Sequence, residues 1–89
     1  MAVTTTEILV DGSTADVSST VAVDQGAVNT LIMRGSDKAS GLEIQIQSTT
    51  GWVYFGSLSA KNPVAQVQGP GNYRLVRNVG ITAAADKAV

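Results

Sequence analysis

No segment of this 89-residue chain holds apolar side chains at helical spacing; its apolar runs are short, and the clearest one alternates residue by residue. In Leu42-Glu43-Ile44-Gln45-Ile46-Gln47 the three aliphatic side chains fall on one face and the three polar ones on the other. Strict alternation predicts a strand with one dry face and one wet face. The turn Ser48-Thr49-Thr50-Gly51 follows, then Trp52-Val53-Tyr54-Phe55. The two runs are expected to form an antiparallel hairpin. The second run is apolar on both faces, which predicts a central strand or one covered on both sides.

The same reading predicts strands at Thr6 to Val10, Val17 to Val23, Asn29 to Arg34, Val64 to Gln68 and Tyr73 to Arg77. Val79 to Ile81 would continue the last of these past a bulge. The β-branched residues Val, Ile and Thr make up 26 of the 89 residues, and such side chains suit a pleated surface better than a helix. Nine glycines punctuate the runs. The expected fold is therefore all-β: a small antiparallel β-sandwich or barrel of about seven to eight strands. Residues 1–89 form one domain in this reading. Flexible arms are expected at 1–5 and at 83–89, the latter Ala-rich and able to form one helical turn.

A domain of this size buries a thin core, and small β folds often add a disulfide, a metal or a partner subunit. The chain has no Cys and no His. Disulfides, thiolate sites and imidazole ligands are excluded. Oligomerisation remains as the missing stabiliser. Ala2 to Glu7 is polar and Thr-rich, so no signal-peptide run follows Met1. No apolar stretch reaches bilayer length. Synthesis in the cytoplasm is expected, with no membrane partner.

Net charge is −1, which does not suit a general nucleic-acid footprint. The charges are unevenly placed. Residues 1–24 hold Glu7, Asp11, Asp16 and Asp24 with no basic residue, and residues 25–89 carry a net +3. Either the acidic stretch docks on a basic patch of a neighbouring subunit, or the two parts pair within one fold. The second is expected.

Four residues stand out as candidates for an interface: Trp52, Tyr54, Arg74 and Arg77. Trp52 and Tyr54 lie two apart and share a strand face. Exposed, they could stack on sugars or anchor a partner. With only four aromatic residues in the chain, a buried Trp52 anchoring the core is the stronger expectation. In Gly69-Pro70-Gly71-Asn72-Tyr73-Arg74-Leu75-Val76-Arg77, Pro70-Gly71 is a turn dipeptide. Tyr73 is placed to bury its ring and tie its hydroxyl to the preceding loop, as in a tyrosine corner. Arg74 and Arg77 could hold a partner carboxylate or phosphate. Capping a sheet edge or pairing with local acids is the expected role. Asp11-Gly12-Ser13-Thr14-Ala15-Asp16 does not match the EF-hand pattern and reads as a turn.

Without His or Cys, the usual general base and thiol nucleophile are missing. No paired carboxylates sit on an apolar face, and there is no nucleophile elbow, phosphate loop or dinucleotide fingerprint. An enzyme is not expected, nor a cofactor or metal.

The segment Gly69 to Arg77, with Trp52-Val53-Tyr54-Phe55 and the Leu58 … Pro63-Val64 stretch upstream, resembles small β-sandwich proteins of tailed-bacteriophage particles. The resemblance covers roughly the last half of the chain. It implies a virion structural protein, above all a capsid decoration or cement protein that stabilises the head by protein–protein contacts. It implies a homotrimer whose partner is the major capsid protein or another virion protein. The resemblance carries no named contact residue. A carbohydrate-binding module, or a tail or fibre attachment component using Trp52 and Tyr54, is the alternative.

Overall fold

The short alternating runs become strands, and the way they pair follows one rule. The computed structural model describes residues 5–10, 15–34, 41–59, 61–78 and 83–88. Among the described residues are nine strands: β1 (Thr5–Leu9), β2 (Asp16–Val17), β3 (Val21–Val23), β4 (Val28–Arg34), β5 (Gly41–Ser48), β6 (Gly51–Ser59), β7 (Val64–Gln68), β8 (Gly71–Arg77) and β9 (Ala84–Ala88). One sheet has the order β1-β9-β4-β7. The other has the order β2-β8-β5-β6, with β3 also beside β8. All pairs are antiparallel.

β2 and β3 occupy one position, against the two halves of β8. That leaves eight positions, as expected for a sandwich. Around the β5–β6 hairpin nest β4 with β7, then β2/β3 with β8, then β1 with β9. The chain is thus one long antiparallel hairpin, with its tip at Ser48–Gly51, rolled into two layers. This is the strand order of a jelly roll.

The aliphatic faces of both layers meet in a core of Leu9, Val21, Val23, Leu31, Met33, Leu42, Ile44, Leu58, Val67, Tyr73 and Leu75, with Ile8, Ala83 and Ala85. Leu42 and Ile44 are buried, with Ile46 partly buried against them, as the alternation requires. Tyr73 buries its ring and donates its hydroxyl to the Gln68 carbonyl at 2.7 Å, the expected tyrosine-corner bond. Gly69, before that turn, lies against the Asp24 backbone; an added Cβ would overlap the Asp24 carbonyl.

Three expectations are corrected. The Val17 to Val23 strand is broken. Ser18 N donates to Leu75 O, whereas Ser19 N donates to Ile8 O in the other sheet, so the backbone leaves the ladder between β2 and β3. The expected C-terminal arm is instead β9 over residues 84–88, held between β1 and β4. Its Ala84 and Ala85 are both buried there. The strand starting at Trp52 is an edge strand, not a central one, and Val53, Tyr54 and Phe55 are exposed. At the other terminus, Thr5 already lies in β1. The expected continuation at Val79 to Ile81, the rest of the N-terminal arm and residues 11–14 lie outside the described residues.

The acidic stretch pairs in part with the rest of the chain, through Glu7 with Arg34 and Asp16 with Arg77. Arg34 on β4 donates to Glu7 on β1 and to Asp86 on β9, the latter at 2.9 Å. The hydrogen bonds to Glu7 and then to Asp86 raise the Arg34 pKa above its ordinary value. Arg34 and Glu7 are both about half-exposed, so their pairing contributes little to stability.

Candidate functional site

Among the described residues no cavity and no cluster of metal-ligating side chains is present. What the fold builds instead is an open sheet surface: the outer face of β8-β5-β6. The alternation that turns Leu42, Ile44 and Ile46 toward the core turns Glu43, Gln45 and Gln47 outward. Register then places Arg74 on one side of Gln45 and Tyr54 on the other, with Trp52 opposite Gln47.

These side chains are tied to one another. The Arg74 guanidinium carbon lies 4.4 Å from the centre of the Trp52 ring, a cation–π contact. Arg74 Nε donates to Gln45 Oε1 at 2.7 Å, and Gln45 Nε2 donates to Glu43 Oε2. A second link runs from Asn72 Nδ2 to Gln47 Oε1 at 3.0 Å. Trp52, Arg74, Gln45 and Glu43 therefore form one relay across three strands. Tyr54 stands beside it, 65% exposed. Rings and planar polar groups held this way lose little freedom when a partner covers them.

Three of the four candidate residues thus come together: Trp52, Tyr54 and Arg74. Trp52 is not the core anchor expected of it. Odd and even positions settle the matter: Trp52 pairs with Gln47, a wet-face residue, and is only half-buried. The large apolar core positions are filled by Leu and Ile instead.

Arg77 lies elsewhere. It shares the inward face with Tyr73 and Leu75 and is 3% exposed. Its Nη1 donates to Val10 O and to Ala83 O, both at 2.7 Å, and its Nη2 lies 3.8 Å from Asp16 Oδ2. Val10 follows β1 and Ala83 precedes β9, so Arg77 joins the two sheets at one end of the sandwich. It acts as the expected cap and salt-bridge partner and is not on the exposed face.

Sequence reasoning passed over Gln45, Gln47 and Asn72 as site residues. The signal was present in the alternation itself, since three polar residues on one wet face next to a Trp and a Tyr mark a recognition surface as much as a solvated one.

No family model matches the chain, and no curated protein or solved structure matches it.

Proposed function

We propose that this chain is a structural protein of a tailed-bacteriophage particle, a capsid decoration protein that docks on the major capsid protein or another virion protein through the outer face of its β8-β5-β6 sheet. The observation that carries the docking face is the Trp52–Arg74–Tyr54 group, braced by Gln45 and Glu43 on a surface without a cavity. Trp, Tyr and Arg are the residues that dominate protein–protein binding energy. The particle assignment is supported by the Gly69 to Arg77 segment and its upstream aromatic strand. The jelly roll is compatible with it, though the same fold carries both viral capsid domains and lectins. A protein of this kind acts by coverage and repetition: modest contacts, multiplied on a lattice, give high avidity.

A second reading has its own observation. Amide groups of Gln45, Gln47 and Asn72 lie beside Tyr54 and Trp52, and this mixture of ring faces and planar hydrogen-bonding groups suits a glycan chain.

Density-gradient sedimentation of virus particles from the culture that expresses the gene tests the first reading. The chain is expected in the particle band, with gold-labelled antibody over the heads. Label on the tail would move it to a tail or fibre position. A chain left at the top of the gradient would refute the particle reading. Replacing Trp52 and Arg74 together by Ala is expected to reduce retention about 30-fold, the equivalent of one hot spot of about 2 kcal/mol. Fluorescence of the single Trp during oligosaccharide titration separates the second reading, since a saturable shift would favour a glycan ligand.

A further inference from the structure

We propose that the edge of β6 left unpaired among the described residues is a self-association surface, along which two copies of this chain pair antiparallel about a two-fold axis. The proposal does not depend on the particle reading. It begins from the four edges of the two sheets. An exposed edge presents unpaired N–H and C=O groups, and proteins blunt such edges with charge, proline or interruption.

Three of the four edges are blunted. β1 carries Glu7, ion-paired to Arg34. The β2/β3 edge is broken between Val17 and Val21 and carries Asp16. β7 has five residues, with Pro63 before it and Pro70 soon after.

β6 differs. It runs nine residues, Gly51–Ser59, without a charge or a proline. It has one guard, a bulge opposite Ile44 and Gln45, which spaces Tyr54 and Gly56 around Phe55. The bulge turns Phe55 inward onto Tyr73, with ring centres 5.3 Å apart. Phe55 consequently shares the inner side with Val53, and each is still 48% exposed. Val53 and Phe55 leave a short apolar strip open along this edge.

A second copy fits this strip better than an unrelated strand. An antiparallel strand pair is self-complementary, and an uncharged β6 meets itself without like-charge repulsion. A register centred on Tyr54 sets Val53 of one copy opposite Phe55 of the other, covering both. The pair also supplies the stabiliser that a domain of 89 residues without Cys or His cannot obtain from disulfides or imidazole-bound metal. A strip about 30 Å long and about 10 Å wide gives about 300 Å² per copy. That is well under the roughly 800 Å² per partner of a standard interface, so the pairing is reversible.

Light-scattering mass over a dilution series is the test. The mass should rise with concentration from the 9.1 kDa of one chain to twice that value. Backbone amides of residues 51–59 should exchange with solvent more slowly as concentration rises. Val53→Lys should keep the mass of one chain throughout. Val17→Lys, at the opposite edge of the same sheet, should pair as the parent does. One-chain mass at every concentration would overturn the proposal, as would a three-chain mass, or Val17→Lys dissociating the pair equally. Should Val53→Lys fail to fold, amide exchange in the parent chain decides: protection at 51–59 that ignores concentration also overturns it. A chain that stays single yet sediments with particles loses the pairing and keeps the particle reading.

Discussion

Arg77 illustrates how one residue is fixed by its surroundings. Period two places it on the inner face after Tyr73 and Leu75, where a cation is costly unless it is fully paired. It is paired: Val10 O and Ala83 O accept from it, and Asp16 is close by. Both carbonyls sit just outside strands, Val10 O after β1 and Ala83 O before β9. Methionine at this position would keep much of the volume and lose every donor, leaving the buried Ala83 carbonyl without this partner. Arg77→Met is expected to cost about 3 kcal/mol, because an orphaned buried acceptor costs about 1–3 kcal/mol. Urea denaturation reads this as a lower midpoint at unchanged slope. An unchanged midpoint would show that water reaches those carbonyls and that Arg77 is not the joint between the sheets. The sequence could place Arg77 on the Tyr73 side of the strand, but not its partners, which lie 67 and 6 residues away.

At the scale of elements, β5 and β6 show what alternation can and cannot tell. The dry face of β5 was legible outright, since Leu42, Ile44 and Ile46 leave no other choice. β6 was harder because Trp52, Val53, Tyr54 and Phe55 are apolar on both faces, and composition alone favours burial. What decides is position: β6 lies at the edge, and Trp52 pairs with a wet-face Gln. Aromatic residues on an outer face pack against long neighbours, here Arg74 over Trp52. The cost of removing the ring follows from that placement. A core Trp→Ala change costs about 3–5 kcal/mol. For Trp52→Ala about 1–2 kcal/mol is expected, from part of the ring's burial and a cation–π contact of about 0.5–1 kcal/mol. Thermal unfolding should then show a folded, cooperative domain with a modestly lower midpoint. Complete unfolding would return Trp52 to the core.

On the scale of the whole molecule, the nested order decides which parts are dispensable. Strand existence was readable from local pattern, and the sandwich class followed from it. Strand order was not, because the pairs join residues far apart, such as Thr5 with Ala88. The C-terminal stretch was misread for the same reason. Ala-rich and charged at Asp86 and Lys87, it has no alternation of aliphatic residues to mark it as a strand. Its role comes from its neighbours, which pair with it on both sides: β1 at Thr5, Thr6, Glu7 and Leu9, and β4 from Thr30 to Arg34. Ending the chain before Ala83 would strand β1 at the edge of nothing and expose the β4 flank, together with the buried Ala83, Ala84 and Ala85. It would also remove the Ala83 carbonyl from Arg77. An arm would be lost with little effect, because loose termini carry few contacts. A central strand takes with it a ladder on each side, and a domain with total stability of about 5–15 kcal/mol does not survive that loss. The truncated chain is expected to give a collapsed amide spectrum by NMR and no cooperative melting transition. A dispersed spectrum with a sharp melt would instead show that β1 and β4 close on each other and that β9 is an addition to the sheet.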